Sequence, residues 1–331
     1  MKFMARFLYF GAIASLMLAL TPLSFAHSKR KNCFSYDSNL LQKKVNYCVN
    51  RTTPNEPYLT QEPVTYFMHG TNGNAKTWYK DDYARALANL QKGNAPLPHM
   101  TFISFDTSRY SFFLDQPGNP RAAYETWFLE EFIPYIESRY SVCNHKECRG
   151  LMGESMGGFG ALKTILRHPN LFSAVAVNSP ALPPFDIHAP KSQWVKFFSH
   201  EAIGPVIGFF LIELVRKLMP SETSWESQDP IELSENLAVD EYPPLYFDMG
   251  GRDKYGFNYG YFRLRKVLDA RDIPYTTFFE PKAGHDMWKR HAVDSMKFLF
   301  AHVGEDTEYY QSKLYGRFNR LGSDFPDDRH R

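Results

Sequence analysis

The chain has 331 residues, with 38 Lys+Arg against 36 Asp+Glu for a formal net charge of +2, and aromatic residues make up 16% of it. So even a balance excludes the basic stripe of a nucleic-acid binder, and a mean hydropathy of -0.42 excludes a bundle of membrane spans. The length suits one large domain or two small ones.

Lys2 and Arg6 open the chain, residues 7–20 form an almost uninterrupted apolar run, and Thr21-Pro22 breaks it. Ser24-Phe25-Ala26 then supplies the small residues of a cleavage site. That is the layout of a secretory signal peptide, and the run is short against the roughly 20 residues that a bilayer span needs. Residues 1–26 are therefore expected to be removed, leaving a secreted or periplasmic chain with no stable membrane span. Export permits disulfides. Cys33, Cys48, Cys143 and Cys148 form an even set that allows three pairings. Short local loops favour Cys33–Cys48 with Cys143–Cys148. The spacings lack the paired C-x2-C knuckles of a zinc site, so no metal is expected.

Residues 27–60 are polar and mixed, an arm with room for an edge strand. Six short runs follow: 63–68 (PVTYFM), 100–105 (MTFISF), 149–152, 173–177 (SAVAV), 244–247 and 275–279 (YTTFF). Each is strand-length, apolar on both faces and followed by turn residues, as buried parallel strands are. Helical patterns lie between them. Asn119-Pro120 is a start signal, followed by Tyr124, Trp127, Phe128, Phe132 and Ile136 at three- and four-residue steps. Residues 160–166 and 258–272 are helical in the same way. Strand and helix alternating like this predict a doubly wound, mostly parallel α/β sheet with helices on both faces.

Residues 185–240 break the alternation. They carry Trp194, Phe197, Phe198 and the run 202–218 (AIGPVIGFFLIELVRKL). Pro205, Glu213 and Arg216 make this run a poor membrane span and predict one or two amphipathic helices, either packed on the core or inserted as a cap over a pocket. Residues 304–331 are charged and weakly periodic, a surface extension of the 27–303 domain.

Gly153-Glu154-Ser155-Met156-Gly157 fits G-x-S-x-G between a strand and a helix. In that context a sharp turn holds the serine hydroxyl away from the sheet, with the helix N-terminus beside it. A serine needs a base, and the base an orienting acid, in the chain order Ser, Asp or Glu, His. Asp253, in GGRD after one strand, and His285, in AGH after the next, fill that order. Asp248 is the rival acid, but alternation turns it into the sheet. His291 is the second-choice base. Asp286 adjoins His285 and cannot readily face it. His168, His188, His200 and His302 are expected to be structural or superficial. Oxyanion donors are the N–H of Met156 and, from the loop HGTNGN after an early strand, the N–H of Thr71.

The segments HGTNGNAKTW, EEFIPYIESRYSV, GESMGGFGAL, SPAL, GGRDKYGF and GHDMW, spread over roughly residues 60–300, resemble the Putative esterase family of α/β-hydrolases. That family takes in esterase D (S-formylglutathione hydrolase), the feruloyl esterases and the antigen 85 mycolyltransferases. The resemblance implies an α/β-hydrolase fold, Ser155 as nucleophile, Asp253 as acid, His285 as base, Thr71 and Met156 as oxyanion donors, and no metal or organic cofactor. The loop TSRYSFFLDQPGN and residues 185–240 match no branch. The signal peptide and cysteines speak against a cytosolic formylglutathione enzyme. Three functions are thus expected in order: a secreted serine esterase acting on a small-molecule or glycan-linked ester; an acyltransferase passing the acyl group to a sugar or lipid hydroxyl; and a non-catalytic binding protein on a hydrolase scaffold.

Overall fold

A computed structural model describes residues 32–93, 96–304 and 307–314; the expected signal peptide and the end of the tail lie outside them. The strands are β1 (Cys33–Ser38), β2 (Lys43–Arg51), β3 (Val64–Met68), β4 (Thr101–Phe105), β5 (Arg149–Glu154), β6 (Ala174–Asn178), β7 (Leu245–Gly250) and β8 (Thr276–Glu280). They form one sheet in the order β1-β2-β4-β3-β5-β6-β7-β8. β1 and β2 are antiparallel to each other, β2 is antiparallel to β4, and all later pairings are parallel.

The helices are α1 (Thr77–Lys80), α2 (Tyr83–Gln91), α3 (Tyr124–Trp127), α4 (Ile133–Tyr140), α5 (Met156–Arg167), α6 (Lys191–Phe198), α7 (Gly204–Leu218), α8 (Glu222–Glu226), α9 (Pro230–Asn236), α10 (Phe257–Ala270), α11 (Trp288–Phe300) and α12 (Thr307–Leu314). β3, β4 and β6 are buried at every position, as their continuous apolar runs require. Alternate side chains go to two apolar layers. Val64, Tyr66 and Met68 face one with Trp127 and Leu162, while Phe67 faces the other with Trp78 and Leu299. This is the α/β-hydrolase arrangement expected from the sequence.

Two expectations gain detail and one needs correction. The edge strand that the arm had room for is β1, and β2 pairs with it as a hairpin and lies one place further into the sheet. Cys33 stands opposite Cys48 in this pair, and a disulfide joins them; a second joins Cys143 and Cys148. The helix expected from Pro120 starts later. Residues 120–122 make a single 3-10 turn, and Asn119 makes no side-chain cap. The cap of α3 comes from Asp115, whose Oδ1 accepts from Glu125 N at 2.9 Å and Thr126 N at 3.0 Å. A π-turn at Phe128–Phe132 then joins α3 to α4. Finally, the extension holds α12, where Gln311 Nε2 donates to the Ala301 carbonyl at 2.9 Å.

Residues 185–240 divide in two. α9 packs on α5 and α10, as an ordinary helical layer does. α6, α7 and α8 instead close a separate apolar cluster of Trp194, Phe198, Ile212, Val215, Met219 and Trp225. Ile203 N donates to the Lys254 carbonyl at 3.1 Å, so this unit leans on the loop after β7.

Candidate active site

Ser155 sits between β5 and α5 with φ 51° and ψ -118°, in the left-handed half of backbone space that a side chain rarely enters. Two glycines make the turn possible: a Cβ on Gly157 would collide with the Met68 carbonyl, and one on Gly153 with the Gly157 carbonyl. The Ser155 backbone is pinned on both sides, its N–H donating to the Asn178 carbonyl at 3.0 Å and its C=O accepting from Ala181 N at 2.9 Å.

The loops after β7 and β8 are tied together. Gly251 N donates to the Glu280 carbonyl at 2.9 Å, and Arg252 N to the Ala283 carbonyl at 2.8 Å. This tie brings Asp253 beside His285. Asp253 is buried at 3% exposure, and its Oδ1 accepts from Tyr255 N at 2.8 Å. Its Oδ2 lies 2.5 Å from His285 Nδ1, and His285 Nε2 lies 2.8 Å from Ser155 Oγ. A carboxylate only accepts, so Nδ1 carries the proton. Nε2 is then a bare acceptor, and the Ser155 hydroxyl donates to it. The structure thus brings together the three side chains that sequence reasoning singled out. Tyr255, Phe257 and Trp288 surround the imidazole, with ring centroids 4.9, 5.6 and 5.5 Å away.

The His69-Gly70-Thr71 turn runs beside the serine: a Cβ on Gly70 would lie 3.4 Å from Ser155 Cβ. Met156 opens α5, so its N–H has no partner within the helix. Two buried groups that sequence reasoning passed over hold the turn. Gly70 N donates to Glu154 Oε1 at 3.3 Å, and His69 Nδ1 donates to the Gly70 carbonyl at 2.8 Å. His69 Nε2 accepts from Thr107 N at 3.2 Å, which fixes that tautomer. Burial lowers the His69 pKa and so favours the neutral ring. Burial, and next the charge of Asp81, push the Glu154 carboxyl well above its ordinary pKa. The motif leaves residue 154 free to vary, so only its burial reveals the contact.

The rival residues lie elsewhere. Asp248 is inside the sheet, accepting from Asn178 Nδ2 at 2.5 Å and Ser179 N at 2.9 Å. His291 lies on α11 between Asp294 and Glu280, at 2.9 and 2.8 Å. Asp286 pairs with Lys289, and His168 with Glu125.

A mostly parallel sheet with such a strained serine at a strand–helix turn, facing a histidine and an aspartate from later strand ends, defines an α/β-hydrolase. The chain matches the model of the family described as Putative esterase over residues 39–260. It belongs to that family of esterases. Among solved structures, the S-formylglutathione hydrolase of Agrobacterium tumefaciens is similar with a TM-score of 0.62 and 18% identity, over 82% of this chain and 95% of that one. A ferulic acid esterase of Anaeromyces mucronatus, solved in complex with ferulic acid, is similar with a TM-score of 0.55 and 17% identity, over 83% and 90%. At these identities the likeness is one of fold. The Bacillus subtilis (strain 168) protein YjcH, described as uncharacterized, is 28% identical over 74 residues, 22% of this chain and 31% of its own length.

Proposed function

We propose that this chain is a secreted serine esterase that works through an acyl-enzyme on Ser155, freed from its signal peptide after Ala26. The observation that carries the reading is the unbroken line from Ser155 Oγ to His285 Nε2 at 2.8 Å and from His285 Nδ1 to Asp253 Oδ2 at 2.5 Å. As Oγ attacks the ester carbonyl, Nε2 takes its proton, and Asp253 stabilises the imidazolium that results. The N–H groups of Thr71 and Met156 receive the oxyanion; losing one such donor costs about 2.7–4 kcal/mol of transition-state stabilisation. Collapse of the tetrahedral adduct breaks the bond to the alcohol, which leaves with the proton from His285. Water then gives a proton to Nε2, attacks the acyl carbon and releases the acid, and Ser155 recovers its hydrogen. All four proton transfers run through one ring, so the steps need no metal or organic cofactor.

Tyr255, Phe257 and Trp288 offer flat apolar surface for a small-molecule or glycan-linked ester beside the imidazole. In this reading residues 27–303 are the hydrolase domain, 185–240 its cap, and 304–331 an extension. Ser155→Ala should lower turnover of p-nitrophenyl acetate by about a thousandfold or more. Retention of more than about a few per cent of the rate would overturn the assignment. The exported chain should begin at His27 by mass spectrometry, and a chain still starting at Met1 would contradict the cleavage. Water is the acceptor here; new ester formed on an added sugar alcohol would identify the transferase alternative instead.

A further inference from the structure

The exposed face of α7 is apolar where a solvated helix should be polar. Gly208, Ile212 and Val215 are buried against the α6–α8 cluster, which accounts for one side of the helix. On the other side Val206 is 83% exposed, Ile207 57% and Phe210 62%. Three large apolar side chains on adjacent turns form a contiguous patch, unlike the scattered exposed residues of an ordinary surface.

Basic residues outnumber acidic ones around the patch. Lys191 and Lys196 on α6, Lys217 at the end of α7, and Lys254 beside its start are all exposed. The two acids of the α6–α7 unit do not offset them at the surface. Glu213 is paired with Arg216 at 2.7 Å, and Glu201 is half-buried at the turn between the helices. A groove of about 520 Å³ continues the face past Leu214, between Lys217 and Arg109. The Arg109 carbonyl accepts from Asn72 N at 3.0 Å, so this groove adjoins the turn that carries Thr71. At the other end, Phe197 of α6 packs against Gly256, in the loop that holds Asp253.

We propose that α7 and the adjoining groove dock the protein on an anionic lipid surface, with the apolar strip among the acyl chains, the cationic rim on the headgroups and the mouth of the Ser155 site facing the layer. An amphipathic helix with an apolar strip and basic flanks binds interfaces in this way, and each rim cation adds attraction to an anionic leaflet. No helix among the described residues is long and apolar enough to cross a membrane, which fits lying on a surface. The docking face stands whether or not Ser155 is the nucleophile; the orientation of the mouth rests on the reading given above.

All four cysteines are in disulfides, so a single introduced thiol can be labelled in the full chain. An environment-sensitive dye on Ile207→Cys should shift to the blue with vesicles of phosphatidylcholine and phosphatidylglycerol, and much less with phosphatidylcholine alone. The same dye on Lys44→Cys, an exposed position of β2, should not shift. Adding Phe210→Ser to the labelled chain should weaken the vesicle response roughly tenfold while leaving turnover of soluble p-nitrophenyl acetate unchanged, which also reports an intact fold. Ser155→Ala should do the reverse, so the two readings fail separately. The proposal is overturned by an unshifted dye, by equal response to neutral vesicles, or by a dimer in sedimentation that Phe210→Ser disperses.

Discussion

Glu154 gives the site its most specific single-residue consequence. It stands next to Ser155, yet its carboxyl serves the Gly70 N–H rather than the substrate. Leaving a buried donor unsatisfied costs about 1–3 kcal/mol, and here the donor belongs to the turn that positions Thr71. Glu154→Leu should lower kcat about tenfold with little change in KM, whereas Glu154→Gln, which keeps a carbonyl acceptor for the Gly70 N–H, should remain near wild type. Steady-state kinetics on a p-nitrophenyl ester decides, and a Leu variant with full kcat would refute the role. Ser155, Asp253 and His285 were legible in the sequence because strand ends and glycine turns bracket them. Glu154 and His69 were not, since their work is to hold backbone groups, and backbone partners leave no mark on residue type.

Among the elements, α5 depends on a contact across the core. Glu125 of α3 receives Lys163 at 2.9 Å and Arg167 at 2.5 Å from α5. Burial opposes its charge, but Lys163, His168 and Arg167 outweigh this and bring its pKa down to about 2. Lys163 has no exposed side-chain surface and donates also to the Phe113 carbonyl at 2.8 Å. Glu125→Ala would strand that ammonium and should destabilise the fold by about 3–5 kcal/mol, measured by urea unfolding; a loss below about 1 kcal/mol would contradict the account. The central strands were readable because parallel strands buried on both faces are apolar throughout. β1 was legible only as room for an edge strand: half of its residues are exposed and one is buried, so its polar sequence resembles a loop. The start of α3 was misplaced because Asp115 caps it from ten residues upstream, a contact that local start signals do not encode.

Across the whole molecule, α11 is fastened to the sheet through His291. Burial disfavours its charge, yet Asp294 on its own helix, Asp248 on β7 and Glu280 on β8 more than offset this and raise its pKa to about 9 from an ordinary 6.5. A histidine whose pKa rises on folding stabilises most when both states are protonated. Its contribution is therefore complete below about pH 6.5 and lost as pH climbs through about 9. Thermal unfolding followed from pH 6 to 10 should show a steeper fall in Tm for the wild type than for His291→Gln; parallel curves would contradict the linkage. The central claim concerns residue 155, and labelling with a fluorophosphonate followed by peptide mapping tests it most directly. One adduct per chain should form on Ser155, slowed strongly by His285→Ala; an unlabelled folded chain, or an adduct on another serine, would contradict it.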